Sequence, residues 1–339
     1  MRLSEVTTLR LGGPAARLET AATETELIEL VSAADDANDP VLLIAGGSNL
    51  VISDEGFAGN AVLVRTRGIE VDQDACSGAT VTVAAGETFD DFVQLAINNE
   101  WIGLEALSGI PGSVGATPVQ NVGAYGQEIA DTVIRVRTWD REAKQVRTFM
   151  HGDCEFSYRM SRFKREPNRY VVLSVTFQFE LGTASAPIKY QELASRLGVE
   201  PGARVPTSAV REQVLALRSS KGMVLDATDH DTWSAGSFFM NPIVTTEQAA
   251  RLPADAPRHA QPDGRVKTSA AWLIDQAGFS KGYAGDGVSL SAKHPLALTN
   301  RGSGTAAALV ALAQEVQAGV REVFGIELEP EPVLINLTW

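Results

Sequence analysis

Residues 103–126, GLEALSGIPGSVGATPVQNVGAYG, hold six glycines and follow neither a helical nor a strand period. A long irregular loop inside a compact domain is usually functional rather than a plain connection. Glycine lets the backbone approach a bound group closely, and successive N–H groups make anion-binding nests. A second glycine-rich segment, AGGSNLVISD at 45–54, follows the short buried-strand run 41–45. Ser48, Asn49, Ser113, Gln120 and Asn121 are interleaved in the two segments. Neither is G-x-G-x-x-G, and the chain has no GK[ST], so a Rossmann dinucleotide unit and a P-loop are both unsupported. Together the segments favour a pyrophosphate-bearing cofactor held by loops.

Outward from the loop, helical and strand patterns alternate. Thr23 with Glu26 forms a capping-box signal ahead of Leu27, Ile28, Leu30 and Val31 at helical spacing. Thr88 with Asp91 is read the same way ahead of Phe92, Leu95 and Ala96. Strands are expected at 62–64, 81–85, 133–139 and 171–179, the last two around a polar hairpin. Residues 181–187 look like a linker. Beyond them, helices are expected near 208–219, 268–278 and 304–324, with the tail ELEPEPVLI as an edge strand or extended segment. The expected class is α+β with a break near residue 182, and 339 residues suggest roughly two domains.

A net charge of −13 disfavours a general nucleic-acid or anionic-membrane binder. Cys76 and Cys154 stand far apart with no CxxC and no nearby histidine pair, which argues against a disulfide scaffold or zinc site. His151, His230, His259 and His294 show no metal spacing either. No signal core or spanning run is present, so a cytoplasmic protein is expected.

Three further segments place polar groups in apolar settings. AGSFFMNP, at 235–242, sets Ser237 and Asn241 on either side of Phe238 and Phe239. Alone, it reads as a buried strand whose serine bonds to backbone; the sharper reading is a serine kept in a dry pocket to move a proton. FSYRMSRFK, at 156–164, packs Arg159, Arg162 and Lys164 among aromatics. It is either a solvated basic hairpin or a guanidinium clamp for a carboxylate. Lys221 in SSKG, Tyr190 in IKYQEL and Glu331 between Pro330 and Pro332 draw little notice singly. There is no GxSxG and no HExxH, so hydrolase readings lack their usual support.

As a set, GGSNL, SGIPGSVGATPVQNVGAYGQEI, YRMSRFK, AGSFFMNP, AAWLIDQAGF and LEPEP resemble the UDP-N-acetylenolpyruvoylglucosamine reductases, in the same order and over nearly the whole chain. The resemblance implies FAD held by two N-terminal α+β subdomains of the vanillyl-alcohol-oxidase type, with a third α+β domain for substrate. The implied division is 1–182 for flavin, cut near residue 66, and 183–339 for substrate. Flavin-binding positions carried over by motif are Gly46, Gly47, Ser48, Asn49, Leu50, Ser113, Gly115, Gln120, Gly123 and Tyr125. Catalytic positions are Arg159, Ser237 and Glu331; substrate contacts are Tyr190, Lys221 and Asn241. The residues around Tyr190 look like the subtype whose tyrosine folds over bound substrate.

The implied reaction is NADPH-driven, FAD-mediated reduction of UDP-N-acetylglucosamine enolpyruvate to UDP-N-acetylmuramate, by a monomer. In it, Arg159 holds the substrate carboxylate, Glu331 assists the enol form and Ser237 protonates the carbanion, with Lys221 or a water chain as its partner. The chain departs from the family pattern after Glu331, where Pro332 and Val333 stand in place of an aliphatic and a basic residue; spacing from the preceding helix assigns the role to Glu331 over Glu329. Lys293 and His294 stand where some relatives have a glutamine. GMVLDATDHDTW, after Lys221, is more acidic than a phosphate site asks for and reads as a loop. Two other readings compete: a flavin oxidase of the same fold, and a nucleotide-sugar binding module without catalysis.

Overall fold

A computed structural model describes residues 2–339. The chain forms two compact units, each assembled from separated segments.

One unit comprises Ala16–Gly46 and Ala58–Ser220. Its first sheet has three strands in the order Ala15–Ala21, Phe57–Val64, Val41–Ile44, and the last two run parallel. The helix Glu24–Asp36 connects the outer strands of that sheet, and Thr23 caps it through the expected box with Glu26. A six-stranded sheet follows. Its main path runs Gln145–Met150, Val133–Asp140, Tyr170–Leu181, Gly78–Ala84, Ile69–Asp74, all neighbours antiparallel. Gly78–Ala84 alternates between buried and part-exposed residues, the period-2 signature of a sheet with one covered face. The helix Phe89–Asn98 supplies Phe92, whose ring lies 5.0 Å from that of Phe177.

Two local expectations change here. The polar hairpin contains a strand, Gln145–Met150, that no alternation announced: all its residues but Phe149 are exposed, because it lies at the sheet edge. Thr88 stands at the N-cap of Phe89–Asn98 but makes no side-chain cap bond. Its backbone instead bridges to Ser113, and the N–H of Phe89 donates to Gly112 O at 3.1 Å. The glycine-rich loop has taken the place of the cap.

The other unit comprises the N-terminal stretch through Ala15, Gly47–Phe57 and Lys221–Trp339. A three-stranded antiparallel sheet, ordered Ser234–Ser237, Ala297–Asn300, Val288–Leu290, packs on the long helix Ala306–Phe324. That helix buries Leu309, Leu312, Ala313, Val316 and Val320, a stripe at helical spacing. Leu50–Ile52 pairs in parallel with Val333–Ile335, so the tail is a strand, as expected.

The units cut the chain differently from the 1–182/183–339 division. Residues 181–187 are no loose linker: Ser185 is fully buried and its N–H donates to Val205 O at 2.7 Å. Beyond them Ile188, Leu193, Val210, Val214 and Leu217 pack around Ala106, which keeps the helices Gln191–Leu197 and Thr207–Ser220 with the first unit. The segment 47–57 parts from the rest of 1–182 because its strand partner is the tail.

Candidate active site

In the first unit the loop around Gly112–Gly115 lies against the segment 85–89 as an extra ladder. Val114 N–H donates to Glu87 O and Gly115 N–H to Ala85 O, each at 2.9 Å. A Cβ on Gly115 would fall 2.4 Å from that of Ala85, and one on Gly46 would fall 2.6 Å from the Cα of Gly112. The two glycine-rich segments thus meet backbone to backbone, where no side chain fits. Ser113 is buried, and its Oγ has no protein partner among the described residues. A buried hydroxyl left in this way is costly unless a further polar group meets it. The set fits a phosphate- or flavin-bearing cofactor: closely approachable backbone with one uncommitted hydroxyl.

Two buried polar side chains, Glu105 and Asn121, brace this loop. Glu105 is completely buried and accepts from the N–H of Gly103 at 2.7 Å, the N–H of Ala186 at 2.6 Å and Gln127 Nε2 at 3.1 Å. Asn121, with φ of 47°, donates to Glu128 at 2.7 Å and to Ser157 O at 3.1 Å. A lone Glu in a loop looks solvent-facing; only the fold reveals its burial.

Arg159 sits in the tight turn bridging Ser157 and Met160, with φ of 53°. A non-glycine residue in the left-handed region is held there only by its surroundings, at about 1–3 kcal/mol. Its guanidinium donates to Gly123 O at 2.6 Å and lies 5.4 Å from the ring centre of Tyr158. YRMS is therefore a shaped turn rather than a solvated hairpin. Gly123 begins the short strand Gly123–Ala124, and a Cβ on it would fall 2.9 Å from Gln127 O. Tyr125, with φ of 48°, stands edge-on to Tyr190 at 5.6 Å. Burial pushes its hydroxyl up to about 12. Tyr190 itself is 45% exposed, at the start of Gln191–Leu197. Gln120 lies part-buried in the same turn-rich segment.

In the second unit, three motifs distant in sequence are joined by backbone bonds. Glu331 N–H donates to Phe238 O at 2.8 Å, next to Ser237, and Met240 N–H donates to Glu329 O at 3.0 Å. Asn49 Nδ2 donates to Glu331 O at 3.4 Å, while Asn49 O accepts from Val333 N–H at 2.9 Å. GGSNL, AGSFF and LEPEP therefore converge, with Glu331 part-buried and Glu329 exposed. Gly47 has φ of 62°, and a Cβ there would fall 2.0 Å from Val6 O, so only glycine fits. Ser48 follows it and Leu50 opens the strand.

Ser237 ends the strand Ser234–Ser237, opposite Ala297 beyond a bulge, and its Oγ lies 3.4 Å from His294 Nε2. Asn241 Oδ1 accepts from Ala270 N–H at 3.0 Å, which gives its carbonyl a role at a helix start. Lys221 is part-buried just beyond Thr207–Ser220. Lys293 forms an ion pair with Asp229, and that bond pushes its ammonium pKa up. Asp231 accepts from Ala292 N–H at 2.9 Å and meets Arg301 at 3.3 Å. The acidic loop is thus a structural clasp. Arg159 belongs to the first unit, Ser237 and Glu331 to the second.

A family model for an FAD-binding domain matches residues 15–148, which puts the chain in the class of FAD-binding proteins, α+β in both its parts. A second model, the C-terminal domain of UDP-N-acetylenolpyruvoylglucosamine reductase, matches 227–335. Proteins of that name from Cutibacterium acnes and Streptomyces avermitilis are 58% and 55% identical to it, each over 99% of this chain and over 89% and 94% of their own lengths. The crystal structure of the Thermus caldophilus enzyme shares the fold, with a TM-score of 0.65 at 23% identity over 99% of this chain and 97% of that one. The chain belongs to the UDP-N-acetylenolpyruvoylglucosamine reductase family.

Proposed function

We propose that Arg159, Ser237 and Glu331 carry the reaction of this family in this chain. It reduces UDP-N-acetylglucosamine enolpyruvate to UDP-N-acetylmuramate with NADPH, a step in peptidoglycan precursor synthesis. The observation that carries the reading is the convergence of Asn49, Phe238 and Glu331 through bonds to the main chain, which ties the segments bearing Ser237 and Glu331 together.

Bound FAD supplies the two-electron chemistry that links NADPH to the substrate. Gly46, Gly47, Ser48, Asn49, Leu50, Ser113, Gly115, Gln120, Gly123 and Tyr125 hold it, the glycines by close backbone approach and Ser113 through its uncommitted hydroxyl. Once hydride has added to the terminal carbon of the enolpyruvyl group, negative charge builds on the neighbouring carbon and its carboxylate. Arg159, fixed by its left-handed backbone and its bond to Gly123, clamps that carboxylate. Glu331 stabilises the enol form, and Ser237 delivers the proton. Lys221 and the Nδ2 of Asn241 meet the diphosphate and uridine, and Tyr190 folds over them.

The chain acts as a monomer in the cytoplasm, where NADPH and UDP-sugars are available. Among the described residues no helix is long and apolar enough to cross a membrane, and both cysteines are free. Sedimentation tests the monomer and cell fractionation the compartment.

The decisive experiment is optical. The purified protein should be yellow, anaerobic NADPH should bleach it, and the enolpyruvyl sugar nucleotide should restore the colour. Flavin that NADPH bleaches but the sugar nucleotide fails to reoxidise would refute the function.

A further inference from the structure

The loop 291–296 joins the strands Val288–Leu290 and Ala297–Asn300. It is a self-bonded turn. Ser291 Oγ accepts from the N–H of Lys293 at 3.0 Å and of His294 at 3.2 Å. Ser291 N–H donates to Ala297 O at 2.8 Å, and Ala297 N–H donates to His294 O at 3.1 Å. Ala297 is the register partner of Ser237, and Phe238 N–H donates to Leu296 O at 2.7 Å. Sheet pairing therefore fixes the loop against residue 237. The two residues before His294 are pinned as well, Ala292 by Asp231 and Lys293 by Asp229. The outcome is His294 Nε2 at 3.4 Å from Ser237 Oγ.

That distance is longer than a well-formed N–H···O hydrogen bond, about 2.9–3.0 Å. Catalytic hydrogen bonds in ligand-free sites are often long and tighten when substrate binds. A serine hydroxyl is a very weak acid, so a serine that gives up its proton needs a donor waiting at its oxygen.

We propose that His294 is a positioning residue for the reduction: its Nε2–H donates to Ser237 Oγ, aims the hydroxyl and stabilises the alkoxide left behind. This rests on the reading of Ser237 as the proton donor. The electron pair left on the substrate carbon by hydride addition forms a C–H bond with the hydroxyl proton. The O–H bond breaks, its electrons stay on Oγ, and the alkoxide is held by Nε2–H until water returns a proton. Removing one preorganised donor of this kind costs about 100- to 1,000-fold in rate.

Stopped-flow flavin absorbance separates the two half-reactions. In His294→Ala, bleaching by NADPH should run at the wild-type rate, which also reports a folded, flavin-loaded protein. Its reoxidation by saturating substrate should slow about 100-fold. His294→Gln keeps a donor within similar reach and should recover about tenfold of that loss, a rescue that simple packing would not produce. The double variant Ser237→Ala/His294→Ala should reoxidise no more slowly than Ser237→Ala alone, because His294 acts through the serine. Near-normal reoxidation by His294→Ala beside a crippled Ser237→Ala overturns the role of His294 and leaves that of Ser237 standing. Equal rates for the Ala and Gln variants, or multiplicative losses in the double variant, overturn it too. Wild-type reoxidation by Ser237→Ala removes the serine reading first and this inference with it.

Discussion

The loop 103–128 and the strand Ser234–Ser237 with its sequel to Asn241 are built by opposite means. The loop works with backbone: glycines where two chain segments touch, peptide N–H groups, and buried Glu105 and Asn121 holding the main chain in place. The strand works with side chains: Ser237 meets His294 through ordinary sheet pairing, and the main chain of Glu331 is bonded to the next residue, Phe238. A backbone site fails by losing its shape, taking the bound group and local stability with it. A side-chain site fails by losing chemistry while the fold stands.

The largest expected effect tests the second half of that contrast. Ser237→Ala should slow reoxidation by the enolpyruvyl substrate about 100- to 10,000-fold. Bleaching by NADPH and the melting temperature should stay near wild type; a protein that also loses its flavin would break the distinction.

Gly115→Ala probes the loop. A methyl 2.4 Å from Ala85 Cβ forces the backbone apart, and overpacking of this sort costs about 1–3 kcal/mol. The melting temperature and flavin content should fall together, and a fully loaded, fully stable variant would show that the close approach is not required.

Glu105→Gln sharpens the point, since one acceptor oxygen becomes a donor facing peptide N–H groups. A loss of about 1–3 kcal/mol in denaturant unfolding is expected, with weaker flavin retention.

The smallest effect is a pH dependence. Asp90 accepts from Gly109 N–H at 2.6 Å and meets Arg211 at 2.7 and 2.9 Å. Burial raises its pKa, but those bonds and the nearby charge of Arg218 outweigh it and leave the carboxyl below its ordinary value. A carboxyl depressed in the folded state stabilises above its unfolded value, about 3.9, and that stability is lost as pH falls through the folded value. Urea unfolding from pH 6 to pH 3 should therefore show a steeper acid loss in the wild type than in Asp90→Asn.

The same contrast explains what the amino acids disclosed. Helices and inner strands were legible because burial on one face imposes a period, as in Gly78–Ala84 and Ala306–Phe324. The edge strand Gln145–Met150, mostly exposed, carries no such imprint. Ser237, Asn241 and Arg159 stood out as polar groups in apolar or aromatic runs, while Tyr190, Lys221 and Glu331 stood out only through the family resemblance. Their support did not: Glu105 resembles any loop glutamate until its three partners, one of them 81 residues away, are seen. The cut near residue 182 followed composition. The observed units follow strand pairing, such as Leu50–Ile52 with Val333–Ile335, and pairing between distant segments has no local signature.

That parallel pair also sets a timetable. A chain emerging from the ribosome presents Leu50–Ile52 early, yet their partners arrive some 280 residues later. Domains generally fold as units during synthesis, and contacts of long sequence separation form slowly. The unit that contains Ser237 cannot close until its last strand is made. The other, whose segments all lie before residue 221, is free to fold first. A nascent chain stalled near residue 325 should hold protease-resistant structure in the early unit and none around Ser237, so the unit that carries Ser237 is the last part of the molecule to come into being.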